Sequence, residues 1–336
     1  MVTEYLKTIG IKTNQPVGRG FLYPYDVAFS SDGIIYALNR GNLGQRVGTR
    51  VQMFNFEEDW LGEFGEGRGT GPSNFMIPIS MAFNSDDCLH ITDQGAGEIK
   101  VFDSAGIPIK QIGNSKDQKI NLTEPSGIAI DSEDNIYVTD QARNSVTKID
   151  QEGSVEFTVG ELGDGPGQFN MPWGLTVDSS GFIYIADWRN DRIQKLSPFG
   201  DFISSYGESG SGEGEFNRPS SVAVDSGGTI YVTDWGNERV QVLDSNGNFI
   251  QMLRGEATLS QWAEQWLDAN QDELTARNRS NLKIDWLPVH LRSPYQVSAQ
   301  TEHLFWGPVS AKIDKSDRLF VTEHSRARIQ VYKVGK

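Results

Sequence analysis

Four residues of this chain carry the chemistry of an acid–base site: Asp26, Arg40, Glu323 and His324. A carboxylate beside an imidazole favours the imidazolium, and a guanidinium holds an anion or a developing oxyanion. Together they read as the catalytic base, acid and clamp of a site for a small substrate. Tyr25, Trp173, Trp188, Trp235 and His303 add rings able to stack on that substrate or to cage a cation. Asp26 and His324 lie nearly 300 positions apart. Only a fold that returns to its own beginning brings them together.

A repeat supplies such a fold. Six times a proline opens nearly the same sixteen-residue phrase, over 24–39, 78–93, 125–140, 172–187, 219–234 and 308–323. Three copies read PSGIAIDSEDNIYVTD, PWGLTVDSSGFIYIAD and PSSVAVDSGGTIYVTD. Each is a pair of alternating, β-branched strands joined by an Asp/Ser/Gly turn. The four middle prolines are spaced by 47 residues, the length of a four-stranded propeller blade. The first interval is 54 and the last 89, so about 7 and 42 residues have been added there. Further along each copy, DWRNDRIQKL and DWGNERVQVL supply a third strand and FISSYG a fourth. A phenylalanine three residues before the next proline ends five of the six connections: Phe21, Phe75, Phe169, Phe216 and Phe305, with Leu122 in the third.

These features resemble NHL repeats, whose family fold is a six-bladed β-propeller. The resemblance covers nearly the whole chain apart from the 42-residue excess, and it implies an all-β, single-domain protein over 1–336. The chain ends in a third strand, ARIQVYKV, while EYLKTIG near the start matches fourth strands. Residues 1–10 are therefore expected to complete the last blade and leave no open sheet edge.

Both insertions must emerge where the copies begin and end, around the mouth of the central channel. The smaller falls within 40–49 and the larger within 254–307. In the larger one, Leu259, Trp262, Ala263, Trp266, Leu267 and Leu274 share a helical face, and Thr258 with Gln261 fits a capping box. This helical insertion between the fifth and sixth blades reads either as a lid over the mouth or as a packing element on one blade edge.

The copies differ most at the mouth. After the Asp-type position stand Arg40, Gln94, Gln141, Trp188, Trp235 and His324, and after the proline Tyr25, Ile79, Ser126, Trp173, Ser220 and Val309. Asp26 replaces a Ser or Gly, and Glu323 replaces Asp. The repeated Asp93, Asp140, Asp187 and Asp234 read as loop-holding carboxylates, and Arg50, Arg192, Arg239 and Arg328 as blade-to-blade ion pairs. His90, where other copies have Tyr or Phe, reads as a packed core histidine, and Cys88 beside it as an inert core thiol. A divalent metal, zinc on His324 with His290 or His303, or calcium on carboxylates, stands as an open expectation.

A net charge of −15 with no basic run argues against nucleic acid. No stretch has the roughly 20 apolar residues of a membrane helix, and the start lacks a secretory pattern, so a cytoplasmic location is expected, with a secreted protein whose signal has been removed as the alternative. The expected function is a small-molecule-processing enzyme of the lyase or hydrolase type. The alternative is a non-catalytic propeller binding a ligand or a protein partner.

Overall fold

The computed structural model describes residues 3–42, 48–113, 120–282 and 287–335. Residues 43–47, the centre of the smaller insertion, lie outside them. The chain forms six four-stranded antiparallel sheets arranged as the blades of a β-propeller. In blade 4, Pro172–Val177, Ile183–Asp187, Arg192–Leu196 and Phe202–Tyr206 follow one another from the channel outward.

Register explains the phrase. Pro172 lies opposite Asp187, as Pro219 does opposite Asp234 and Pro308 opposite Glu323. The proline lacks a ladder N–H, so it suits the first residue of a strand. Pairing then shifts just after each proline, which re-aims the next side chains toward the channel.

The outermost strand of blade 6 is Thr3–Ile9, paired antiparallel with Arg328–Val334. Both faces of a blade are buried against neighbours, so apolar residues sit in the seams rather than in one central core. Phe21, Phe75, Phe169, Phe216 and Phe305 are fully buried there. Gly207 makes room for one of them: its φ is +87°, and a Cβ would lie 2.2 Å from the Phe216 ring. Any other residue would collide and be strained at once.

The large insertion divides into three helices, α1 (Gln261–Ala269), α2 (Gln271–Arg279) and α3 (Pro294–Gln300). The helix begins later than the sequence suggests. Ser260, not Thr258, is its cap, with Oγ accepting from Ala263 N, while Thr258 N donates to Tyr5 Oη. Trp262 seals the seam between blades 6 and 1: its ring packs on Phe21 and Phe54, and its Nε1 donates to Glu58 O. Trp266, expected on the same buried face, is 46% exposed. Helix α3 instead lies against the mouth loop of blade 5, and Arg326 of blade 6 donates to Ser298 O, Ala299 O and Thr301 O at its end. Packing and covering are thus done by different helices.

Candidate active site at the channel mouth

The repeated carboxylates are spent on structure. Asp93 accepts from Met76 N and Ile77 N, Asp140 from Thr123 N and Glu124 N, Asp187 from Asn170 N and Asp234 from Asn217 N. Each fixes the loop that leads into its own blade. The arginines pair within a blade rather than between blades. Arg192 Nε donates to Asp187 at 2.9 Å and Arg239 Nε to Asp234 at 2.7 Å. Their remaining donors go to loop carbonyls such as Gly165 O and Gly212 O.

Glu323 belongs to this set. It is fully buried, its Oε1 accepts from Arg328 Nε at 2.6 Å and from Gln330 Nε2 at 2.7 Å, and its Oε2 from Trp306 N at 2.9 Å. With its lone pairs taken up, it has no capacity to receive a proton from a substrate. It takes Arg328 through both Nε and Nη2, where Asp187 and Asp234 receive one arginine nitrogen and the amide of Asn190 or Asn237.

Asp26 is likewise a strut. It is buried below the mouth, where Ser80 Oγ (2.6 Å) and Met81 N (2.8 Å) of blade 2 donate to Oδ2, and Ser310 Oγ of blade 6 donates to Oδ1. Lys312 Nζ stands 3.4 Å from Oδ2. Asp26 therefore ties three blades together at the channel. Among the described residues no hydrogen bond or ion pair joins Asp26 or Glu323 to the His324 ring. The channel at this level encloses only about 20 Å³, room for about one water. Anything larger than a water has to sit above it.

Above that floor the ring closure does bring first and last copies together. The His324 ring lies 5.2 Å from Tyr25, edge-on, and 5.0 Å from Tyr23. Arg40 caps the other face of this group, its guanidinium carbon 4.5 Å from the Tyr25 ring centre. Burial, then the positive charges of Arg40 and Lys12, push the His324 pKa down to about 4. The imidazole is neutral at pH 7, which is opposite to the imidazolium expected from a neighbouring carboxylate. Arg40 Nε finds no acceptor among the described residues. An unprotonated imidazole thus stands beside a buried guanidinium nitrogen with no acceptor among the described residues.

Across the mouth, Trp173, Trp188 and Trp235 form a ladder with ring centres 5.6 Å and 6.4 Å apart. Arg218 and Arg189 stand 5.1 Å and 5.7 Å from the Trp188 ring. Trp235 remains 36% exposed. His303 lies at the base of the insertion, its carbonyl accepting from Ala257 N. Tyr23 and Arg218 escaped the sequence comparison, although both hold one repeat position, the residue before the proline. That position takes positive φ in Tyr23 (53°), Met171 (54°) and Arg218 (55°), an unusual backbone that swings the side chain to the mouth.

Among the described residues, no group of three or more His, Cys, Asp or Glu is gathered to hold a metal ion. Among these residues no helix is long and apolar enough to cross a membrane.

Comparison with known proteins agrees on the architecture. The NHL repeat family model matches residues 169–196 and 216–243, and a β-propeller repeat model matches 109–139. The chain carries NHL repeats in a six-bladed propeller. No curated protein sequence matches it. Among solved structures, virginiamycin B lyase from Staphylococcus aureus is similar over 98% of both chains, at 13% identity and a TM-score of 0.56. A streptogramin B lyase aligns over 99% of this chain and 98% of its own, at 12% identity and the same TM-score. A protein of unknown function from Bacteroides thetaiotaomicron aligns over 99% of this chain and 73% of its own, at 17% identity and a TM-score of 0.60. At such identities the likeness is one of fold.

Proposed function

We propose that the mouth is the active site of a small-molecule-processing enzyme of the lyase or hydrolase type. The observation that carries the reading is the neutral His324 imidazole beside Arg40, whose buried Nε makes no hydrogen bond with the described residues. In this reading His324 takes a proton from the substrate or from an attacking water, and Arg40 stabilises the oxygen on which charge builds. Tyr25 and Tyr23 fix the imidazole plane, and the Trp173–Trp188–Trp235 ladder receives the apolar or cationic part of the substrate. Helix α3 and the loop to Gly307 limit access of water from one side. Asp26 and Glu323 act in the frame rather than in the chemistry.

Lyase neighbours of the same fold support the enzyme class, and one of them was crystallised as a catalytically inactive variant with quinupristin. Quinupristin is therefore the first compound to assay, beside simple esters and β-substituted carbonyl compounds. Consumption of any of these by the wild type at a rate at least about a hundredfold above that of His324→Ala is the expected result. Equal rates for all of them in both proteins would overturn the enzyme reading. Ligand binding that survives in His324→Ala, without turnover in either protein, would favour a binding propeller built on the tryptophan ladder.

A further inference from the structure

On the face opposite the mouth, the seam between blades 2 and 3 is not filled as the other seams are. Five copies place Tyr36, Tyr137, Tyr184, Tyr231 or Phe320 at one position of the second strand, and blade 2 has His90 there. Tyr36 packs on Phe83 across its seam at 4.8 Å. The hydroxyls of Tyr137, Tyr184 and Tyr231 reach the turn aspartates Asp131, Asp178 and Asp225 at 3.0, 3.3 and 3.1 Å. His90 is too short for that reach. Its Nδ1 lies 3.1 Å from Cys88 O, and the turn residue Asn84 accepts from Cys88 N just as Asp131, Asp178 and Asp225 accept from Asn135, Phe182 and Thr229 N.

A cavity of about 320 Å³ opens beside the shorter ring, within the size range of small-ligand sites. Val101, Ile112 and Ile136 form part of its wall, and Cys88 and His90 line it. Its charged groups are Asp86, Asp134 and Asp150 against the single Lys110. Asp134 is held by Ser85 N and Ser85 Oγ, neutral donors that leave its charge uncancelled. Burial lowers the His90 pKa to about 4, so the ring is neutral at pH 7 and adds no positive charge. With Nδ1–H committed to Cys88 O, Nε2 remains an acceptor.

We propose that this cavity binds a small ligand with a compact apolar body and an ammonium group, the body against the isoleucines and the cation among the aspartates. Apolar walls with a few convergent polar groups are the ordinary make-up of a ligand pocket, and the excess of two negative charges selects the sign. The site is independent of the mouth chemistry, since it involves neither the same face nor the same blades as His324 and Arg40.

Benzylamine is a suitable probe, with benzyl alcohol and benzoate as neutral and anionic counterparts. Binding is read from the His90 ring-proton resonances in solution and from protection of Cys88, the only cysteine, against iodoacetamide. Saturable shifts and slowed alkylation are expected with benzylamine, about fivefold weaker binding with benzyl alcohol, and none with benzoate. His90→Tyr should fill the space and abolish binding while leaving any activity at the mouth unchanged. Should that variant not fold, Asp150→Asn takes its place and should weaken benzylamine about fivefold without affecting benzyl alcohol. Absence of saturable benzylamine binding, benzoate binding as well as benzylamine, or unaltered affinity in the variants that fold would each overturn the proposal.

Discussion

The mouths of blades 4 and 5 and of blades 6 and 1 are built from the same repeat positions, yet they leave different things undone. In blades 4 and 5 the carboxylate, the arginine and the glutamine of each copy satisfy one another: Asp234 receives Arg239 Nε and Asn237 Nδ2, and Gln241 Nε2 donates to Glu215 O. What reaches solvent there is the tryptophan ladder with the exposed Arg189 and Arg218 beside Trp188. In blade 1 the equivalent of Asp234 is Asn39, which is neutral, and Arg50 pairs with Glu63 of the fourth strand instead. The charge is moved outward, and among the described residues no hydrogen bond or ion pair gives Arg40 at the rim an anion. A repeat frame therefore stays stable where its networks are complete and becomes reactive where one copy breaks the pattern.

The sharpest way to break this contrast is His324→Ala. Turnover should fall by about two to four orders of magnitude while the unfolding midpoint stays near that of the wild type. A comparable loss of kcat in Trp188→Ala would move the chemistry to the wrong side of the mouth. The reverse test is made on stability. Asp234→Ala strands a buried guanidinium and should cost about 3–5 kcal/mol in denaturant unfolding, whereas Arg40→Met should cost less than about 1 kcal/mol. If Arg40→Met is the more damaging, Arg40 is a structural arginine like its counterparts.

A smaller effect is expected from Trp188→Ala. Substrate affinity should drop by about three- to thirtyfold with kcat nearly kept, in line with one stacking or cation–π contact, measured as a KM-against-kcat split. The mildest test is pH. His324 acts as a base only when neutral, and its folded pKa is about 4. The rate should therefore be flat from pH 8 to pH 5 and fall as pH drops through about 4. The same shift has a stability consequence with a defined sign. The folded pKa lies below the ordinary histidine value, so the unfolded chain binds the proton first, and stability is lost as pH falls from about 6.5 toward 4. A rate that already halves near pH 6.5 would mean an exposed, ordinary histidine.

Architecture was legible because it repeats. Period, strand pairs, the buried phenylalanines and the position of the insertion all follow from residues that recur, and each recurrence is a separate vote. The site is harder, since it lies in departures from the pattern, and a departure does not say which way its side chain points. Asp26 reads as reactive because an acid replaced a small residue. In the folded ring Ser80 and Ser310 of the neighbouring blades converge on it, and that convergence has no local signature. Glu323 stands next to His324 in sequence, but successive strand residues face opposite ways, and its oxygens belong to Arg328 and Gln330. Tyr23 was hidden for another reason: its place at the mouth comes from a positive φ that the sequence before a proline does not announce.

Pairing of Thr3–Ile9 with Arg328–Val334 gives the molecule an order of assembly. Thr3–Ile9 finds its partner only after the more than 300 residues between them have been made, roughly 15 to 65 seconds later at ordinary elongation rates. Until then blades 1 to 5 can stack on one another, but the ring stays open and both of its terminal edges are unpaired, the state most exposed to wrong partners. Trp262 of α1 packs into the seam that closes last, against Phe21 and Phe54. The helix arrives just ahead of blade 6, so it can occupy the early-made side of that seam while the final blade is still being synthesised. Trp262 is thus available to cover the exposed side of that seam before blade 6 is complete.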